Sequence, residues 1–209
     1  MSPRVVVVDY GVGNLHSVRN AFHRAGAEVE ISSDPETVRN AARLVLPGVG
    51  AFADAMRELS TRALVEAVKD HIKTGRPFLG ICVGMQLLLT ESTEFGRHAG
   101  LGVIPGTVEK IPDDGVKVPH VGWSAIAPPR GTTWEGTPLR DLESDRPMVY
   151  FVHSYNAVPS NDADRLADAS YGSVRICAGV RRDNVFGFQF HPEKSGPVGL
   201  QIVQKFLTT

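Results

Sequence analysis

The stretch of residues 78–89, FLGICVGMQLLL, joins a short apolar run to a run of helix-favouring residues. The first half is typical of a buried strand, and VGMQLLLTES (residues 83–92) is typical of a helix. Gly80 and Gly84 flank Cys82 at the junction. A nucleophile on a sharp strand-to-helix turn needs such small neighbours, because larger ones would block the bend. The stretch therefore predicts a strand–turn–helix unit with a candidate nucleophile at Cys82.

The same strand–helix alternation extends through the N-terminal half. Strands are predicted at RVVVVD, EVEIS and RLVLPG, and helices at about residues 15–25, 35–41, 52–59 and 64–73. The C-terminal half holds strand-like runs separated by Pro, Gly, Asp and Asn, and ends in a helix at about residues 198–207. We therefore expect an α/β fold: a single open, mostly parallel sheet flanked by helices, with an antiparallel extension in the C-terminal half.

Composition narrows the classes of protein and partner. With 209 residues, 42% of them apolar, the chain can bury one sizeable core, so we expect one domain over residues 1–209. The formal charge is −1, and the basic residues form no stripe that would indicate nucleic acid or an anionic membrane. No apolar run could span a bilayer. We expect a cytoplasmic protein with reduced cysteines, acting on a small molecule or another protein.

The glycines after the first strand resemble part of a dinucleotide-binding motif. In DYGVGNLHS, Gly11 and Gly13 match the first two glycines, but His16 stands at the third position. The alternative is a tight turn with Asn14 at the N-cap of the next helix, which we favour.

Cys82 has the surroundings that an activated thiol requires. At the predicted turn the thiol faces the N-terminus of a helix, whose partial positive charge favours the thiolate. The Val83 N–H would point toward the oxygen of a bound carbonyl, as one donor of an oxyanion hole. A second donor is expected from LPGVG (residues 46–50), which ends another strand at the same edge of the sheet. By itself, this pattern is equally compatible with a small buried cysteine.

A base for Cys82 is indicated at His191. It ends the strand-like run VFGFQF and precedes Pro192 and Glu193. We expect the segment to stay extended, which places His191 and Glu193 on the same side, so that the carboxylate orients the imidazole and the imidazole activates the thiol. The alternative for HPE alone is a strand-end histidine beside a solvated glutamate. Four other histidines are expected at the surface: His16, His23, His71 and His98.

Taken together, GICVGMQ and HPE resemble the class I, or triad, glutamine amidotransferases. DYGVGNLHS, LPGVG, PHVGW, YFVHSY and HPEKSG are most similar to the glutaminase subunits of imidazole glycerol phosphate synthase. The resemblance implies that Cys82 attacks the glutamine carboxamide, that His191 gives a proton to the leaving ammonia, and that Glu193 orients His191. It also implies a heterodimer with a (βα)₈-barrel cyclase, which uses the ammonia on a phosphorylated ribonucleotide.

Other residues are assigned by this resemblance alone. Those implied at the glutamine pocket are Gly48, Gly50, Gln86, His153, Ser154 and Tyr155; those implied at the partner interface are Asn14, Trp123 and Lys194. The peptide at Val49 is expected to turn its N–H into the oxyanion hole, beside Gly50, when the liganded partner binds. Gly48 and Gly50 are expected to permit that rotation.

Three alternatives stay open at this point. One is the glutaminase of pyridoxal phosphate synthesis, although its Gly-Gly-Glu-Ser stretch is replaced here by PGVG. Another is a thiol or ester hydrolase that acts alone, and a third is a binding subunit with a vestigial triad. We expect neither a metal nor another cofactor, because no Cys or His pair has ligand-like spacing.

Overall fold

The computed structural model describes residues 2–209. Its strands, β1 to β13 in chain order, are Arg4–Val8, Glu28–Ser32, Leu44–Gly48, Phe78–Cys82, Leu89–Ser92, His98–Ala99, Ile104–Lys110, His120–Ala127, Met148–His153, Tyr155–Pro159, Arg165–Tyr171, Val174–Arg182 and Val185–Phe188. Its helices, α1 to α6, are Leu15–Arg24, Pro35–Asn40, Phe52–Thr61, Leu64–Lys73, Val83–Gln86 and Gly196–Phe206. Two 3₁₀ turns span Asp162–Asp164 and Pro192–Lys194.

The main sheet confirms the predicted α/β class and its antiparallel extension. Within the described residues it has nine strands in the order β2-β1-β3-β4-β13-β12-β11-β8-β9. The pairs from β2 through β13 are parallel, and the pairs from β13 through β9 are antiparallel. Central strands such as β3 and β4 are buried along their whole length, because helices cover a parallel sheet.

A second sheet, which the sequence analysis did not predict, adds strands β10-β7-β5-β6. The run MVYFVHSYNAV was expected as one strand-like unit, but it divides at Ser154. Its first part is β9, at the edge of the main sheet, and its second part is β10, which pairs with β7. This division makes residues 153–155 the junction between the two sheets.

The predicted helix after Cys82 is wrong beyond Gln86. α5 has four residues, and LTES forms β5 instead. Three consecutive leucines, Leu87 to Leu89, are fully buried, which one face of a helix could not achieve. The carbonyls of these leucines accept hydrogen bonds from the backbone N–H groups of residues 101–104. Pairing with a distant segment therefore overrides the local helix propensity.

A local signal sets the start of α2 as expected. Asp34 is the N-cap of α2 and accepts a hydrogen bond from the Thr37 N–H at 2.7 Å, with Pro35 in the first turn. Asn14 occupies the N-cap of α1, but its side chain makes no capping bond. α1 packs with α6, α4 packs with both α2 and α3, and the single-turn α5 contacts α3. Over residues 2–209, no helix combines the length and apolarity needed to cross a membrane.

His71 contradicts the prediction of a surface histidine. It is fully buried in α4, and its Nε2–H donates to the Pro77 carbonyl at 3.2 Å. Burial lowers the pKa of His71 to about 4, so the ring is neutral at pH 7. The position lies on the core face of the helix, three and four residues from buried Val68 and Ala67. Helical periodicity therefore decides its burial, although its residue type suggests the surface.

Candidate active site

The parallel pairing of β3, β4 and β13 assembles the site at one edge of the main sheet. β4 lies between the other two strands, with Gly48 opposite Cys82 and Phe188 opposite Ile81. Residues that follow Phe188 therefore come level with Cys82, although 107 positions separate Gln189 from it. This edge is where ligands bind in open α/β sheets.

The predicted sharp turn at Cys82 is confirmed. Cys82 has φ 54° and ψ −112°, a backbone conformation that costs a non-glycine residue about 1–3 kcal/mol. A Cβ on Gly84 would stand 1.8 Å from the Leu46 carbonyl oxygen, and one on Gly80 would stand 2.6 Å from the Gly84 carbonyl oxygen. Both glycines are required because backbone from β3 and α5 packs directly against the turn.

The helix dipole expected to favour the thiolate is weak. α5 is a single turn, so few peptide dipoles align behind Cys82. α5 therefore contributes little to the stabilisation of a thiolate at Cys82.

His191 and Glu193 make the predicted contact, but in a different backbone conformation. His191 Nδ1 donates to Glu193 Oε1 at 2.7 Å, and both side chains are at most 3% exposed. The segment is not extended: Pro192–Lys194 forms a 3₁₀ turn. The fixed φ of Pro192 suits the first position of such a turn, and the Ser195 hydroxyl donates to the His191 carbonyl at 2.6 Å.

Two opposing effects act on the His191 imidazole. Burial alone would lower its pKa, but interactions with Cys82 and Glu193 raise the pKa of His191 to about 9. The Nδ1–H group of His191 donates its hydrogen bond to Glu193. Nε2 of His191 has no hydrogen-bond partner within residues 2–209. His191 is therefore in its imidazolium form at neutral pH.

Cys82 opens into a cavity of about 430 Å³. The residues that line the cavity come from both sheets and from the segments next to their strands: Val49, Gly50, Cys82, Val83, Gln86, Glu94, Pro119, Val152, His153, Ser154, Tyr155 and His191. The structure thus brings together all but two of the residues predicted for catalysis, the oxyanion hole and glutamine binding. Glu193 stands behind His191, and Gly48 lies within β3 outside the lining.

Gly48 is needed for close packing rather than for flexibility. A Cβ there would meet the Gly84 nitrogen at 2.7 Å and the Tyr10 hydroxyl at 2.8 Å. The Tyr10 hydroxyl also donates to the Pro47 carbonyl at 2.7 Å. The first half of the predicted oxyanion loop is therefore held, whereas Gly50, at φ 85°, has open space around it.

Gln86 has a fixed orientation in the cavity wall. Its Nε2 donates to the Tyr155 carbonyl at 3.1 Å and to Gln189 Oε1 at 3.0 Å. Both amide protons are used inside the protein, which leaves Oε1 of Gln86 to accept a bond from a ligand.

A pair of histidines that the sequence analysis did not connect supports the cavity wall. His153 Nδ1 donates to the Tyr155 carbonyl at 2.8 Å, and His120 Nδ1 lies 3.1 Å from His153 Nε2. Burial lowers the pKa of each histidine to about 4, so both rings are neutral. His120 therefore donates to His153, and the Ser124 hydroxyl donates to His120 Nε2 at 2.9 Å.

Further residues at the site were missed. Glu94 is buried in the cavity wall, and its Oε2 accepts a hydrogen bond from the Phe52 N–H at 2.6 Å. Gln189 contacts Cys82, and Tyr10 contacts Pro47 on the neighbouring strand β3. The only available signals were positional, since Tyr10 follows a predicted strand and Gln189 lies two residues before His191.

The predicted interface residues are all exposed, and two of them meet around Tyr150. Trp123 is 52% exposed and contacts Tyr150 edge to face at 6.1 Å between ring centroids. Lys194 Nζ lies 6.0 Å from the centroid of the same ring. Asn14 is the N-cap residue of α1, which packs against the Pro192–Lys194 turn. Val121 and Val152, which are cross-strand partners, extend the exposed face formed by Trp123 and Tyr150 on β8 and β9.

Comparison with known proteins identifies the family. Residues 6–209 match the family model described as glutamine amidotransferase class-I. The chain is 49% identical to "Imidazole glycerol phosphate synthase subunit HisH 1" of Legionella pneumophila (strain Lens), covering 97% of this chain and 98% of the relative. It is 46% identical to subunit HisH of Geobacter sulfurreducens, with 97% of each covered.

The fold is also found in solved structures. PurLQS from Thermotoga maritima matches with a TM-score of 0.75 at 20% identity, over 100% of this chain and 99% of that chain. A protein described as a glutamine amidotransferase matches with a TM-score of 0.73 at 18% identity, over 98% of this chain and 99% of that chain. With this fold and the match over residues 6–209, the chain belongs to the class-I glutamine amidotransferase family.

Proposed function

We propose that this chain is the glutaminase subunit of an imidazole glycerol phosphate synthase, which hydrolyses glutamine and passes the ammonia to a cyclase subunit. The observation that carries the proposal is the convergence of Cys82, His191 and Glu193 beside one cavity. Near-full-length relatives carrying the HisH subunit name support the assignment to histidine biosynthesis. We further propose that residues 1–209 act as one amidotransferase domain, in keeping with the family match over residues 6–209.

The proposed triad chemistry uses Cys82 as the nucleophile and the protonated His191 as the proton donor. The Cys82 thiolate attacks the carboxamide carbon of glutamine, and His191 protonates the leaving nitrogen as the C–N bond breaks. Ammonia and a glutamyl thioester result. Water then attacks the thioester, His191 takes its proton, and glutamate leaves with return of the thiolate. Glu193 holds the imidazole in the orientation that both steps need.

Substrate positioning is proposed from the remaining cavity residues. Glu94 places a carboxylate where the ammonium group of glutamine can bind, and Gln86 Oε1 offers a further acceptor. His153, Ser154 and Tyr155 supply the opposite wall. The Val83 N–H and the peptide around Val49 and Gly50 are proposed to stabilise the oxyanion.

The cyclase partner is proposed to cover the exposed apolar face of β8 and β9. Val152 belongs both to this face and to the cavity lining, so a partner bound there would lie next to the reaction site. Lys194 and Asn14 are proposed to join the same interface. Shielding matters chemically, because ammonia released into neutral water becomes ammonium, which is not nucleophilic.

The first test is glutamate release from glutamine by the purified chain, alone and with the cyclase subunit and its ribonucleotide ligand. We expect strong activation only in the liganded complex, because the Val49 peptide turns inward there. The Cys82→Ser variant should bind the partner normally and release no glutamate. Absence of glutamate in every mixture, with a demonstrated complex, would contradict the proposal, and equal turnover with and without partner would contradict the gated oxyanion hole.

A further inference from the structure

Gln189 lies directly beside the Cys82 sulfur. It is fully buried, and it follows Phe188, which pairs with Ile81 next to Cys82. Its Nε2 stands 3.7 Å from Cys82 Sγ, which is within hydrogen-bond range for sulfur. In residues 2–209 this nitrogen has no other hydrogen-bond partner. A buried amide N–H requires an acceptor, so the sulfur satisfies a group that would otherwise be left unpaired.

The direction of this hydrogen bond is fixed by a backbone carbonyl. Tyr155 O can only accept, so the Gln86 atom that faces it must be the amide nitrogen. The same nitrogen also faces Gln189, and two amide nitrogens cannot bond to each other, so Gln189 presents Oε1 to Gln86. The nitrogen of Gln189 is thereby turned toward Cys82.

The protonation state of the sulfur decides how strong this contact is. A thiol is a weak acceptor, whereas a thiolate accepts strongly, because a hydrogen bond to an ionised group is roughly twice as strong as a neutral one. The single-turn α5 provides little dipole for this purpose. His191 supplies a positive charge, and Gln189 supplies a donor that carries no charge and does not titrate.

We propose that Gln189 is a further catalytic residue, whose side-chain amide donates a hydrogen bond to the Cys82 sulfur and holds it as the thiolate, with Gln86 and the Tyr155 carbonyl fixing the donor. The inference rests on the proposed function for the role of Cys82 as nucleophile. Gln189 does not line the cavity, so its effect on glutamine binding is small.

The test measures the rate of Cys82 alkylation by iodoacetamide between pH 5 and pH 10 in the wild type and in Gln189→Met. Methionine has a similar length and cannot donate. We expect the pH of half-maximal alkylation to rise by about one unit in the variant, and turnover with the liganded partner to fall about tenfold with KM changed less than about threefold. Cys177 gives no background, because it is fully buried and burial raises its pKa to about 12.

Gln201→Met is the matched control. Gln201 lies on α6 and accepts a bond from the Glu143 N–H, away from the cavity. The titratable groups around the sulfur are His191, Tyr10, Glu94 and His153, and both variants retain them. An unchanged alkylation profile in folded Gln189→Met would overturn the inference. Alkylation requires no glutamine hydrolysis, so failure of the proposed function gives a different result, namely reactive Cys82 without glutamate release.

A measurement on the unmutated side chain covers the case in which Gln189→Met does not fold. In NMR spectra of protein whose glutamine side chains carry ¹⁵N, the Gln189 amide signal of the wild type should shift at the pH where alkylation reaches half its maximum. In Cys82→Ser, the chemical shift of the same signal should not change over this pH range. A Gln189 amide that does not sense the titration in the wild type would overturn the inference.

Discussion

At the scale of single residues, the site depends on charges held close together in a buried space. The Glu193 carboxylate contacts His191 Nδ1 at 2.7 Å, and both groups are almost without solvent. In such surroundings a charged partner changes the protonation of its neighbour far more than it would in water. A substitution of Glu193 should therefore change both the rate of glutamine hydrolysis and the pH dependence of that rate.

Glu193→Gln should lower turnover by about 100-fold. The amide can still accept the Nδ1–H bond, but the negative charge that helps to raise the pKa of His191 to about 9 is lost. His191 must be protonated to release ammonia, so activity is present below that pKa and lost as pH rises through it. The basic limb of the pH–rate profile should move to lower pH, measured with the liganded partner. Glu66→Gln, at an exposed position on α4, is the control and should match the wild type.

At the scale of elements, close backbone packing fixes the turn between β4 and α5. Gly84 approaches the Leu46 carbonyl so closely that no side chain can be accommodated, and neither atom belongs to a flexible side chain. The strain at Cys82 persists only because β3 and α5 enclose it.

Gly84→Ala should lower the free energy of unfolding by about 3 kcal/mol or more, or prevent folding, because backbone must move to admit the Cβ. Gly102→Ala is the comparison: φ is 67°, but no atom lies within 4 Å of the added Cβ. It should cost only the backbone strain, about 1 kcal/mol. Urea unfolding of both variants measures the difference, and equal losses would contradict the packing argument.

The burial of His71 in α4 predicts acid sensitivity. Its pKa is about 4 in the folded chain and lies near 6.5 when the chain unfolds, so folding excludes a proton. The contribution of neutral His71 to the free energy of unfolding is present above pH 6.5 and is lost as pH falls toward 4. His71→Gln keeps an N–H donor for the Pro77 carbonyl but cannot titrate.

Between pH 7 and pH 4.5, the wild type should therefore lose on the order of 2 kcal/mol more unfolding free energy than His71→Gln. His120 and His153 titrate in both proteins and cancel in the comparison. Parallel loss of stability in the two proteins would show that His71 is not held neutral by the fold.

At the scale of the whole molecule, the edge of the main sheet presents an apolar face beside the cavity. Val121 and Trp123 are 54% and 52% exposed on β8, and Val152 follows on β9. An edge strand with exposed apolar side chains is typical of an interaction surface.

Trp123→Ala should weaken cyclase binding at least about tenfold, because large aromatic residues at the centre of an interface carry much of the binding energy. Val158→Ala removes an exposed apolar side chain from β10, in the other sheet, and should leave binding unchanged. Calorimetric titration of the partner measures both. Equal affinities of wild type and Trp123→Ala would place the interface elsewhere.

How much of this molecule could be read from the sequence depended on whether a feature was local. The strands around Cys82, the turn flanked by Gly80 and Gly84, and the His191–Glu193 contact were all predictable, because each is set by periodicity or by spacing of a few residues. The 3₁₀ turn at Pro192–Lys194 was not, since its backbone bonds compete with an extended alternative of similar local preference.

Apolar periodicity and short motifs were sufficient to predict the α/β class and the family, and to propose Cys82, His191 and Glu193 as the residues of the chemistry. Three features are visible only in the folded chain: α5 ends after one turn, Gly48 has no room for a side chain, and Gln189 faces Cys82 across β4 and β13. These features depend on contacts between segments that lie many residues apart in the sequence. Strand pairing fixes those contacts, and no local preference along the chain specifies them.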